Sequence, residues 1–152
     1  MHSRLALLAA ALFVAGCAPD PQLGTFNFNM TGTDTETAPR NMATSVTGNG
    51  TFSVTTGKTV DYIVTLSQVD TAPCVLDADL TEKKDAIVIT AGQKCTFNYS
   101  GGSVTATLTS GSLTGSEKGE TAAVNVSYTY AGQVIGINFA GTGTRAYSGS
   151  RR

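Results

Sequence analysis

Past residue 23 the chain alternates apolar and polar side chains with a period of two, and that rhythm predicts half-buried strands. Phe26, Phe28 and Met30 share one face while Asn27 and Asn29 take the other, and Phe52 and Val54 repeat the pattern. Val60, Tyr62, Val64 and Leu66 fall on one side, opposed by Asp61 and Thr65, with Ile63 out of phase. Val104, Ala106 and Leu108 interleave with threonines. The longest stripe is Ala122, Val124, Val126, Tyr128 and Tyr130, set against Asn125, Ser127 and Thr129. A last strand is expected to carry Ile135, Ile137 and Phe139 on its inner face. No segment of useful length has a helical period.

Turn residues punctuate these strands. Ala131-Gly132 fits a tight two-residue hairpin, while Gly57-Lys58 and Ser100-Gly101-Gly102 mark further reversals. Residues 81–85 supply a charged connection between strands at 74–80 and 86–90, and 115–119 form a polar loop. Two longer breaks, the Thr-rich 32–43 with Pro39 and the stretch 67–73, read as loops, where positions free of packing duty are available for function. The prediction is an all-β domain over residues 24–147 with a short polar tail at 148–152. It is a single antiparallel meander of roughly eight to ten strands forming a small barrel-like or sandwich domain, the short connections favouring the barrel. Several strands are shorter than a bilayer-crossing strand requires, and their polar faces include charges, so the apolar side is expected to face inward.

The N-terminus follows other rules. Arg4 precedes a continuous apolar run over 5–14 and then small residues, the layout of a cleaved targeting peptide, too short to span a bilayer as a helix. Its closing run, Val14-Ala15-Gly16-Cys17, resembles the lipobox of bacterial lipoproteins. The resemblance implies that residues 1–16 are a signal peptide removed in the mature protein, that Cys17 carries a thioether-linked diacylglycerol and often an acylated amino terminus, and that the membrane is a partner through Cys17. It also implies the bacterial cell envelope, and the outer membrane in a Gram-negative cell, because Ala18 rather than Asp follows the cysteine. Residues 17–23, with Pro19 and Pro21, read as a tether reaching on the order of 20 Å when extended. The likeness covers only this first stretch, and a chain without tryptophan lacks the Gly-x-Trp signature of lipocalins.

Composition narrows the chemistry. Loss of the first 16 of 152 residues leaves 136, one domain's worth. His2, the only histidine, departs with the leader, taking with it the commonest general base near neutral pH and the commonest metal ligand. With 10 basic and 11 acidic residues in the full chain, neither nucleic acid nor a strongly anionic surface is implied as partner. The polar surface must come largely from Thr, Ser and Asn.

With Cys17 committed to lipid, Cys74 and Cys95 are expected to form a disulfide in an oxidising compartment. If a full strand lay between them they would sit two strand spacings apart, about 9.5 Å, too far to bridge. Either that strand ends below their level or the outer strands pair differently there. Asp77, Asp79, Glu82 and Asp85 are the densest acidic group; Asp77 and Asp79 share a face and are weak candidates for a calcium site or a glycosidase pair. Leu76, Ala78 and Leu80 on the opposite face turn the aspartates to water, and Lys83 and Lys84 compete with a cation. No catalytic residue is assigned, because Ser-x-x-Lys and Gly-x-Ser-x-Gly patterns are absent and no histidine activates a hydroxyl. Tyr62, Tyr99, Tyr128 and Tyr130 follow the apolar phase, as core or as the lining of a cavity. The expected function is a non-enzymatic envelope lipoprotein with a binding or structural role, without cofactor, engaging an envelope protein. The alternatives are a carrier of a small apolar ligand inside a barrel and a carboxylate-dependent hydrolase.

Overall fold

A computed structural model describes residues 23–68, 72–83, 86–116 and 119–152. Cys17, the leader and most of the tether lie outside these, as do Lys84 and Asp85. Among the described residues there are nine strands and no helix. They are β1 (Gly24–Ala38), β2 (Met42–Thr56), β3 (Tyr62–Gln68), β4 (Cys74–Leu80), β5 (Ile87–Ile89), β6 (Lys94–Tyr99), β7 (Gly102–Gly115), β8 (Thr121–Val134) and β9 (Ile137–Arg151). Every pairing is antiparallel, in the order β5-β4-β3-β2-β1-β9-β8-β7-β6.

A further pairing of β5 with β7 closes this sheet on itself. Short β5 pairs with β4 through Ile87–Ile89 and with β7 through Ile87↔Leu113 and Val88↔Ser112. Farther along the same edge, β7 pairs instead with β6, from Lys94↔Thr107 to Tyr99↔Gly102. β5 and β6 thus behave as one strand broken at residues 90–93, opposite a bulge between Leu108 and Ser110 of β7. Where β5 has stopped, β4 and β6 come side by side, and Cys74 and Cys95 form a disulfide across a Cα separation of 5.4 Å. The geometric demand raised by the sequence is met by ending the central strand early.

Gln93 seals the rest of that seam. Its Oε1 accepts from the Asp77 N–H at 2.7 Å and its Nε2 donates to the Asp77 carbonyl at 2.9 Å. The Asp77 carbonyl also takes the Thr90 N–H at 3.0 Å, so the amide's part is to bridge the remaining pair, the Asp77 N–H and the Thr90 carbonyl, to which Nε2 donates at 2.8 Å.

At one end the ring is apolar within. Phe26, Phe52, Val64, Leu76, Ile89 and Val124 are fully buried, and the rings of Phe26 and Phe52 stack at 5.1 Å while Phe28 meets Tyr147 edge-on at 4.9 Å. The outward positions of β2, β1, β9, β8 and β7 are Thr, Ser, Asn, Gln and Ala, with no charged side chain. The Thr-rich wall anticipated from composition is a surface five strands wide.

Several expectations need correction. The break assigned to 32–43 is mostly strand: β1 continues to Ala38 and β2 begins at Met42, leaving a turn of three residues. The hairpin expected at Ala131-Gly132 lies instead at Ile135-Gly136, between the pair Val134↔Ile137. Both turn residues have positive φ, 49° and 75°, as a twisted two-residue hairpin demands. Ile135 is consequently in the turn and 77% exposed, and Ile137 is 48% exposed; Phe139 alone of that trio is partly buried. The polar tail at 148–152 is largely structured, since β9 runs to Arg151, pairing Arg151 with Phe26 and Ser150 with both Asn27 and Thr121.

Candidate ligand-binding cavity

The ring is filled at one end and hollow at the other. The ladder between β2 and β3 ends at Gly50↔Gln68, so residues 42–47 of β2 pair only with β1 among the described residues. In this upper half the wall is β2, β1, β9, β8, β7 and β6, and among the described residues no strand joins β2 to β6. The space it encloses measures about 800 Å³, a size suited to a small organic molecule. Met30, Val46, Phe97, Val104, Val134 and Phe139 contribute apolar surface to it. The disulfide borders it, as do Tyr99, Tyr128 and Tyr130. Of the four tyrosines singled out by their phase, these three therefore line the cavity; Tyr62 packs against the core at the other end.

A network of polar residues interrupts this lining. The Arg145 guanidinium donates from Nη1 to Asp34 Oδ1 at 2.9 Å and from Nη2 to Asp34 Oδ2 at 2.8 Å, a two-pronged ion pair between β9 and β1. Tyr128 on β8 donates its hydroxyl to the same Oδ1 at 2.8 Å, and the guanidinium lies 5.2 Å from the centre of its ring. Glu36, one inward step beyond Asp34, borders the cavity and accepts from the Arg40 backbone N–H at 3.0 Å.

The network is built into the strands by glycines. A Cβ on Gly143 would collide with Asp34 Oδ1 and the Tyr128 ring, and one on Gly32 would collide first with the Thr144 carbonyl of the neighbouring strand and then press on Arg145 Cδ at 2.9 Å. Both glycines occupy inward positions of the alternation, and at Gly143 the missing side chain makes room that the ion pair and the Tyr128 ring fill.

Burial and charge set the protonation. Burial first, and then the hydrogen bond to Asp34 and that residue's charge, raise the Tyr128 hydroxyl far above the ordinary tyrosine value, against the opposing pull of Arg145. Tyr130 is raised by burial and by the charges of Asp34 and Glu36, and Tyr147 chiefly by burial. For Arg145 burial acts to lower the value, but the Asp34 hydrogen bond and the neighbouring acids outweigh it and the guanidinium is held more firmly charged. At neutral pH the site presents protonated phenols beside a fixed cation.

Of the acidic residues named from sequence, Asp77 and Asp79 lie elsewhere, on the outer side of β4, Glu82 sits in the turn after it, and Asp85 is outside the described residues. Asp79 Oδ1 accepts from the Asp61 N–H at 2.9 Å and Asp61 Oδ2 accepts from the Leu80 N–H at 2.9 Å, so these carboxylates tie β4 to the β2–β3 connection. Asp77 takes part through its backbone, held by Gln93. No group of three or more His, Cys, Asp or Glu side chains capable of holding a metal is found among the described residues.

Asp34, Glu36, Arg145 and Tyr147 were not identified from the sequence. Their signal was present in a weaker form: Thr31, Thr33, Thr35 and Thr37 alternate strictly with Gly32, Asp34 and Glu36, as Thr142 and Thr144 do with Gly141, Gly143 and Arg145. With threonine on the outer face and glycine or charge on the inner, the strand carries no apolar stripe to announce it. No protein-family model, no curated protein and no solved structure matches the chain.

Proposed function

We propose that this chain is a lipid-anchored envelope protein, held to a bacterial membrane through Cys17, whose β-domain binds a small, predominantly apolar molecule in the open half of its ring. The observation that carries this reading is the cavity of about 800 Å³, walled by aromatic and aliphatic side chains and provided with a few convergent polar groups. A ring needing only stability would fill this volume as it fills the opposite end with Phe26, Phe28 and Phe52, because unfilled apolar space forfeits packing. The domain acts by binding and carries out no turnover.

The test is uptake of the neutral dye N-phenyl-1-naphthylamine by residues 23–152, which contain all nine strands and the whole described core. Its fluorescence is expected to rise on binding. Val104→Trp, placed in the lining, is expected to abolish that rise while leaving the β circular-dichroism spectrum intact. Absence of enhancement with the unaltered domain, or equal enhancement with the filled variant, removes the cavity reading. Intact and digested mass spectrometry of protein from its native host tests the anchor, a diacylglyceryl Cys17 at the new N-terminus being the expected product.

A second reading, engagement of an envelope protein, is favoured by exposed Tyr99, Ile135 and Ile137 at the same end, where the Ile135 N–H donates to the Gly101 carbonyl at 3.0 Å and joins two hairpins. Recovery of one protein by cross-linking at these hairpins, lost on Ile135→Asn, would support it.

A further inference from the structure

Resting on the cavity reading, we infer that the ligand is an amphipathic monocarboxylate whose carboxylate is received by the free edge of the Arg145 guanidinium, its apolar body lying along the aromatic lining.

A guanidinium offers five N–H donors in a fixed plane. Asp34 takes the end-on edge, one hydrogen from each of Nη1 and Nη2, and the Thr144 carbonyl accepts the other Nη1 hydrogen at 2.9 Å. Left over are Nε–H and the second Nη2–H, which point the same way as a parallel two-donor fork. No described residue accepts from Nε, and it is not sealed from solvent. Such a fork matches the two oxygens of a carboxylate.

The surroundings select among anions. Among the described residues Arg145 is the only basic side chain lining the cavity, while Asp34 and Glu36 supply two acids, Glu36 being paired at 3.7 Å with Arg40 outside the lining. A doubly charged phosphate would meet one lumen cation already shared with Asp34 and an acid, Glu36, already paired with Arg40. A single carboxylate needs only the fork, and the pinned Asp34 holds the fork's plane in place.

Stability does not account for the pair. An ion pair partly withdrawn from water, as this one is with side chains 13% and 29% exposed, contributes little net stability against apolar residues of similar volume, and every lumen position below it on β1 and β8 is apolar. A glycine at 143, cleared of its side chain to admit the network, is a further cost to the strand. The arrangement is explained by a polar group that the cavity must orient.

The experiment is displacement of N-phenyl-1-naphthylamine from residues 23–152 by dodecanoic acid, methyl dodecanoate and dodecan-1-ol at pH 8. The acid is expected to bind about tenfold or more tightly than the ester, the difference a charge-assisted fork makes. The paired variant Asp34→Asn with Arg145→Met, which strands no charge in the lumen, is expected to bind acid and ester alike while still taking up the dye. Equal binding of acid and ester by the unaltered domain overturns the inference and leaves the cavity reading standing. Unchanged acid preference in the paired variant overturns the role of Arg145. Failure of all three compounds and of the dye to bind overturns both readings.

Discussion

At the scale of single residues, the lumen is governed by what is missing as much as by what is present. Gly143 makes room for the Asp34 carboxylate and the Tyr128 ring in the same plane across β9. Gly143→Ala is therefore expected to force the ion pair apart and to cost about 1–3 kcal/mol, the range for overpacking, measured as a lowered urea midpoint. The tyrosines make a pH prediction of definite sign. Tyr128, Tyr130 and Tyr147 all ionise less readily when folded than at the ordinary value of 10.0. The unfolded chain releases those protons first, so stability is fully present below about pH 10 and falls as the pH climbs beyond it. Urea unfolding at pH 8 and pH 11 should show this drop, and Tyr128→Phe should shrink it. Absorbance titration of the folded domain should show the matching late phenolate signal.

At the scale of elements, the seam between β4 and β6 is the place where a ladder is replaced by other means. β5 spans only three residues, and beyond it the two flanking strands are joined by one disulfide and one glutamine side chain. Gln93→Ala leaves the Asp77 N–H without its acceptor and is expected to destabilise the domain by about 1–3 kcal/mol. Gln93→Glu keeps the acceptor and loses the donor, so in denaturant titrations it should fall between the two. Cys74 and Cys95 are 21 residues apart, and in the chain-entropy account closing a loop of that size contributes about 3 kcal/mol. The measurable form of that claim is a lower unfolding midpoint for the doubly Cys→Ser variant, with a two-hydrogen mass difference on reduction of the parent. The hairpin correction belongs to this scale as well. Gly132 pairs with both Phe139 and Val104 inside the sheet, whereas Ile135 and Gly136 adopt the positive φ that reverses the chain. Glycine marks both places, and only the register of β9 against β8 tells the turn from the strand.

At the scale of the whole molecule, a filled end and an open end divide the dynamics. Residues of β1 from Phe26 to Met30 are paired on both sides and buried on their inner face, while residues 42–47 of β2 have one paired edge and little cover. Hydrogen exchange read by mass spectrometry should therefore find the first segment protected near the global limit and the second exchanging much faster. Binding in the cavity should slow exchange in β2 and β6 at its rim and leave the filled end unchanged. The outer wall of Thr, Ser and Asn takes no part in this division. It keeps the closed sheet wet without charges and leaves the ionisable groups to the lumen, the seam and the turns.

What the sequence by itself determined is the class of fold and most of its core. Period two with apolar residues on one face forces one-sided strands, and short turns between them force antiparallel neighbours, so the stripes from Phe26 to Met30 and from Ala122 to Tyr130 were legible at once. The disulfide was legible too, together with the condition it imposes on the strand between its ends. What only the tertiary structure decided is which strands meet across the closing seam and what the lumen contains. Asp34 and Arg145 are 111 residues apart and become partners only because β1 and β9 are hydrogen-bonded neighbours in the ring. A strand whose inner positions are glycine, aspartate and glutamate carries no apolar signature. Hydrophobic patterning reports what is packed, and a cavity is the part that is not.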